Sequence, residues 1–195
     1  SDTGYALIED GKLTVAASLD FPPFENLNGY QPEGFEVDLM KALAEEMDLE
    51  CNYLPSTKFD TIVPLIQTGG KADVGVSGIT ITDDRLEDVD FTDPVCDVNQ
   101  SLTVLTGSGY TSAADLAGKK VGAQTGTTGY EWAAENIKDV EMVGFDEMTA
   151  VFLALQSGQI DAIAVYLPVA NYYVRSYSDC QVIKEIPTGE QYAVA

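Results

Sequence analysis

The chemistry-bearing residues of this chain gather around Arg85. It closes the run Ser77-Gly78-Ile79-Thr80-Ile81-Thr82-Asp83-Asp84-Arg85, which leaves an apolar strand and enters a helix with Thr82 at the N-cap position. The positive end of that helix, the Thr80 hydroxyl and the Arg85 guanidinium can face one spot, and a planar carboxylate suits that set of donors. Pairing of Arg85 with Asp83, Asp84 or Asp88 on its own helix explains the same residues.

A second anion-receptive turn is Gln124-Thr125-Gly126-Thr127-Thr128-Gly129, again between a strand and a helix. It lacks the Lys of a phosphate loop and the spacing of a dinucleotide fingerprint, so a nucleotide is disfavoured, and an ordinary glycine turn is the competing reading. Phe21-Pro22-Pro23-Phe24 follows the first strand and presents aromatic faces, and Phe59 offers another; core packing is their alternative role. The chain has no His, so no Ser-His-Asp or Cys-His set exists, and no metal-ligand spacing appears. No catalytic residue, metal or cofactor is assigned. Asp or Glu acid–base chemistry stays open.

The elements that must position these residues alternate. Strand-like Lys12 to Ser18 precedes an amphipathic helix over Gly34 to Met47, with Phe35, Leu39, Ala42, Leu43 and Met47 on one stripe. A strand at Cys51 to Leu54, a helix at Phe59 to Gln67 closed by Gly69-Gly70, and a buried strand at Ala72 to Ser77 follow. Beyond the extended Gln100 to Thr106 and a polar joint at 107–112, a new series begins. Its strands are 120–124, 141–143, 162–165 and 181–185, its helices 129–136, 147–157 and 168–177, and 191–195 is strand-like again. Two βαβ series separated by a joint imply an α/β chain of two doubly wound, mostly parallel lobes. The expected division is 1–106 plus 190–195 for the first lobe and 107–189 for the second, with a binding cleft between them.

Composition narrows the partners. With 45% hydrophobic residues in 195, the chain can bury a real core. A net charge of −22 excludes nucleic acid, whose binding rests on Lys and Arg neutralising phosphates. The three cysteines, Cys51, Cys96 and Cys180, form no C-x-x-C motif and are expected to pack as small apolar groups. No apolar run is long enough to span a membrane, and no leader precedes Ser1, so any signal peptide is expected to have been removed.

The motifs Pro23-Phe24-Glu25, Gly34 to Leu39 (GFEVDL), Asp73 to Arg85, Asp90 to Pro94 (DFTDP), Leu116 to Gly122 and Gly126-Thr127-Thr128 together resemble the bacterial extracellular solute-binding proteins of family 3, the amino-acid receptors of ABC importers, in family order and over nearly the whole chain. The resemblance implies a Venus-flytrap fold with a two-strand hinge, an amino acid or related carboxylate as ligand, delivery to an ABC permease, and a location in a periplasm or on a Gram-positive cell surface as a lipoprotein. It implies that Arg85 clamps the carboxylate with the Thr80 hydroxyl and the main chain at Ser77 and Gly78. The turn at Thr125 and Thr128 completes the grip, Phe21 stacks on the ligand with Phe59 nearby, and Gln124 tunes side-chain preference.

Two positions depart from the family. Tyr166 stands where an Asp usually holds the α-ammonium, so another carboxylate substitutes, the ligand lacks that group, or Tyr166 offers a cation–π face. Ser18 stands where receptors for basic or amide side chains often carry Asp, which argues against Arg, Lys, His and Gln as ligands. Family members also continue past Ala195, so this form is expected to expose apolar surface and to be less stable or to self-associate. Two rivals share the scaffold: a cyclohexadienyl-dehydratase-like enzyme and the extracellular sensor domain of a membrane receptor.

Overall fold

The computed structural model describes Gly4 and residues 6–195; residues 1–3 and 5, at the expected start of the first lobe, lie outside the described residues. The chain divides into two compact units, Ser1–Asp97 with Gln191–Ala195, and Val98–Glu190.

In the first unit, β1 (Lys12–Ala16) is followed by the short strands β2 (Asp20–Phe21), β3 (Glu25–Asn28) and β4 (Gln31–Glu33), helix α1 (Phe35–Glu46) and β5 (Glu50–Tyr53). A 3-10 turn at Phe59–Thr61 runs into α2 (Ile62–Thr68), then β6 (Val74–Gly75), β7 (Ile79–Thr80), the short helix α3 (Asp83–Leu86) and the start of β8 (Cys96–Leu105). β5, β1 and β6 make a parallel sheet in that order, while β2, β3 and β4 form an antiparallel meander. Leu13, Val15, Met40, Ala44 and Val76 pack on one side, and Ala16, Phe59, Ile62, Ile79 and Ala195 form a second cluster.

α1 covers the expected span, but its phase differs. Phe35 and Leu43 are exposed, and the helix buries Glu36, Val37, Met40 and Ala44 instead. The cause is a polar demand that hydropathy does not register: Glu36 is drawn inward by the Gly78 N–H.

The second unit continues β8 and adds β9 (Lys120–Gln124), α4 (Thr128–Asn136), β10 (Glu141–Phe145), α5 (Met148–Gln156), β11 (Ala162–Tyr166), α6 (Leu167–Ser176) and β12 (Cys180–Ala193). β10, β9 and β11 are parallel neighbours joined by helical crossovers, and β8 lies antiparallel to β11. Leu102, Val121, Ala133 and Ala162 centre one cluster, and Phe152 stacks on Tyr173 at 4.3 Å. Truncating such a buried ring to Ala costs about 3–5 kcal/mol.

The division between units falls inside β8 and β12, not at the polar joint. β8 is one continuous strand whose Gln100 to Thr103 pair with β11, so the Gly/Ser/Thr stretch is a turn within the second unit. Likewise 181–185 and 191–195 are not separate strands, because β12 runs unbroken until its end pairs with β7 (Tyr192↔Thr80, Ala193↔Ile79). Cys180 is buried and Cys51 half-buried, but Cys96 is exposed rather than packed.

Candidate functional site

In the first unit the Thr82 hydroxyl accepts from Arg85 N (3.2 Å) and caps α3 as expected. Arg85 Nη1 donates to the Thr80 carbonyl at 2.7 Å, and its guanidinium carbon lies 5.6 Å from the Phe59 ring centroid. Asp88 accepts from Gln67 Nε2 (2.6 Å). A guanidinium held over an aromatic face and tied to a strand carbonyl loses little further freedom when it meets a carboxylate. Thr80 is buried in β7, and Phe21, also buried, stacks on Phe24 at 5.8 Å. Phe24 in turn meets Tyr192 edge-on at 5.1 Å.

Ser18, Ser77 and Gly78 come together at the ends of β1 and β6, with their polar groups engaged in the interior. Ser18 N donates to Ser77 Oγ (3.0 Å), the Ser77 hydroxyl donates to Glu25 Oε1 (2.7 Å), and Gly78 N donates to both Glu36 oxygens (3.0 and 3.1 Å). Burial, and then the charge of Glu36, hold the Glu25 carboxyl well above its usual range. Burial raises Glu36 to about 7, against the opposing pull of the Gly78 N–H and of Glu25. These two carboxyls carried no chemical signal in the sequence beyond their place in the motifs at Glu25 and Glu36.

The second unit builds its face on the ends of β9 and β11. Thr127 caps α4, its hydroxyl accepting from Tyr130 N (3.2 Å) and donating to the Gln124 carbonyl (2.8 Å). Gln124 is buried and donates from Nε2 to the Asp146 carbonyl (3.0 Å), and Thr125 N donates to the Phe145 carbonyl (2.9 Å). Thr128 Oγ1 accepts from Gln100 Nε2 at 3.0 Å. Gln100 stands opposite Tyr166 in the β8–β11 ladder, and its Nε2 also reaches Glu190 Oε2 at 3.0 Å. Gly129 lets the turn approach closely, since a Cβ would lie 2.8 Å from Gln100 Oε1 and 3.1 Å from the Ala164 carbonyl oxygen.

Gln100 and Glu190 escaped the sequence reading. They are 90 positions apart, and only the neutral Tyr166 signalled that a carboxylate was wanted nearby. Among the described residues, no three His, Cys, Asp or Glu side chains converge as metal ligands.

Residues 13–128 match the model of the bacterial extracellular solute-binding proteins, family 3. The chain is 31% identical over 182 residues to the ABC transporter arginine-binding protein 1 of Escherichia coli (strain K12), covering 93% of this chain and 74% of that one. Among solved structures, the arginine-bound form of a truncated arginine-binding protein from T. maritima superposes with a TM-score of 0.87 at 34% identity, covering 94% of this chain and 87% of that one. An ancestral amino-acid-binding protein, described as a precursor of cyclohexadienyl dehydratase, superposes with a TM-score of 0.86 at 34% identity, covering 95% and 81%. With more than half of its length under the family model and its two units built as a type II binding-protein fold, the chain belongs to the bacterial extracellular solute-binding proteins of family 3.

Proposed function

We propose that the chain captures one α-amino acid outside the cytoplasm and delivers it to an ABC permease without transforming it. The observation that carries this reading is Arg85, braced over Phe59 and tied to Thr80, as a ready-made carboxylate clamp. Thr80 and the main chain of β7 join it, and the capped turn at Thr125 and Thr128 is the second unit's own carboxylate-receptive group. Phe21 and Gln124 meet the ligand body. Glu190 replaces the absent Asp: linked through Gln100 to Thr128, it sets a carboxylate beside a carboxylate-binding turn, the spacing that an adjacent ammonium and carboxylate demand. Ser77 and Gly78 act from beneath, since their hydroxyl and N–H are committed to Glu25 and Glu36.

Ser18 brings no charge to the ligand, so the expectation against basic side chains belongs to this proposal, although the E. coli relative is named for arginine. A thermal-shift screen of the twenty standard L-amino acids tests both parts, because a ligand of the native state raises its melting temperature. Stabilisation by at least one amino acid is expected. A shift with L-arginine removes the Ser18 argument, and no shift with any of the twenty removes the function.

The similarity to a dehydratase precursor and the buried carboxyls favour one second reading, acid–base chemistry on a cyclohexadienyl acid. The engagement of both carboxyls with Ser77 and Gly78 argues against it. Turnover of prephenate or arogenate by the purified chain would establish it.

A further inference from the structure

Glu25, the first residue of β3, and Glu36, in the first turn of α1, are 0% and 2% exposed, so both are withdrawn from solvent. Backbone geometry brings them together. Phe35 N and Glu36 N donate to the carbonyls of Pro23 and Phe24 (3.0 and 2.9 Å). That approach needs Gly34, at φ 128°, where a Cβ would lie 2.4 Å from the Phe24 oxygen. Each carboxyl then holds one residue at the end of β6, Glu36 through the Gly78 N–H and Glu25 through the Ser77 hydroxyl, while Glu25 Oε2 is buried without a hydrogen-bond partner.

The groups that feel this pair are Tyr53 on β5 and Tyr192 on β12. Around those phenols stand Asp38, Cys51 and Cys96, and the charge of Lys41 acts on Cys51. Among the described residues, none of the groups acting directly on either carboxyl is a cation. Two full negative charges in that space are strongly disfavoured, and retaining one proton relieves them.

We propose that Glu25 and Glu36 are positioning residues, a carboxyl pair that holds one proton between them, fixes Ser77 and Gly78 at the ligand-facing end of the first unit, and thereby makes amino-acid affinity depend on pH. Ionised Glu36 gives the Gly78 N–H a charged acceptor, which holds this glycine at φ 55°. A second proton replaces that acceptor by a neutral one about half as strong. The Ser77–Gly78 segment then loosens and affinity falls. The affinity half rests on the amino-acid reading; the proton half stands without it.

Carboxyl 13C shifts of the two glutamates and the 15N–1H shift of Gly78, followed from about pH 4 to about pH 9, decide the proton half without any variant. One step near 7, shared by both glutamates and by Gly78, is expected. Two ordinary steps between about pH 4 and 5, with a flat Gly78 amide, overturn it. Glu36→Gln keeps an oxygen for Gly78 and abolishes the step of the Gly78 amide; a Gly78 step that survives in it also overturns the proposal.

For the affinity half, the tightest binder among the twenty standard L-amino acids is carried through calorimetry at about pH 6 and about pH 8. Roughly threefold weaker binding at the lower pH is expected in the wild type and no difference in Glu36→Gln. Equal wild-type affinities overturn the positioning role. Absence of any binder among the twenty defeats the proposed function, while the carboxyl titration still decides the pair.

Discussion

The two units are unlike in what their candidate faces carry. The face of the first is made from the ends of strands only two residues long, β6 and β7, and carries charge: Arg85 above, and Glu25 and Glu36 behind. The second is made from the ends of five-residue strands, β9 and β11, and carries amides, hydroxyls and a phenol, with Glu190 as its carboxylate. Short strands supply few ladder bonds, so the first face must be braced by side chains, and buried carboxylates make strong braces at a cost in stability. The regular sheet of the second unit supports mostly neutral groups, with Gln100 held by Glu190. Under the proposed function charge recognition falls to the less regular unit, and the sharpest test of that asymmetry is Arg85→Ala. Its expected effect is a loss of amino-acid affinity of about 100-fold or more, read by calorimetry, with Arg85→Lys recovering only part because an ammonium lacks the planar fork.

Bracing by a buried carboxyl predicts an opposite effect on stability. The folded-state value for Glu36, about 7, lies above the ordinary 4.5 of an unfolded chain, so between those two values the folded protein binds more protons than the unfolded one. The stability this group contributes is present below about 4.5 and is lost as pH rises through about 7. Glu36→Gln keeps it, and at about pH 8 the variant should be the more stable by up to roughly 3 kcal/mol, with the gap closing toward about pH 5. The net charge of −22 tilts both proteins the same way, so the difference between their melting temperatures is the readout. A variant destabilised equally at both values would show that Glu36 is an ordinary structural acceptor.

Glu190 is the point at which the second unit approaches the first in charge. Glu190→Gln should weaken amino-acid binding by roughly tenfold and leave binding of the corresponding 2-oxo acid unchanged, because only the amino acid carries an ammonium. Equal losses for both ligands would mean that Glu190 serves only to orient Gln100.

Periodicity revealed most of the second unit and the extent of α1, because long elements buried on one face write their period into the sequence. It failed where polar chemistry overrode hydropathy. The α1 stripe was misphased since a buried Glu36 does not look like a core residue, and β12 runs on through 186–190, between the two strands expected at 181–185 and 191–195. The motif around Arg85 pointed to a carboxylate clamp, and the structure adds to it a bond to the Thr80 carbonyl and a seat over Phe59. The bridge from Thr128 through Gln100 to Glu190 joins three distant segments, and no local pattern records it.

The smallest expected effect separates binding from folding within one turn. Thr127 and Thr128 are neighbours with different duties: the first caps α4 through Tyr130 N, while the second begins the helix and accepts from Gln100. Thr127→Val should remove the cap and cost about 1 kcal/mol of stability in denaturant titration. Thr128→Val keeps the shape and removes one neutral hydroxyl, leaving Gln100 Nε2 its bond to Glu190. A neutral hydrogen bond contributes about 0.5–1.5 kcal/mol, so binding should weaken by a few-fold with little change in the unfolding midpoint. A loss in Thr128→Val as large as that in Arg85→Ala would break the asymmetry between the units, because a hydroxyl on the regular sheet would then matter as much as the charge on the irregular one.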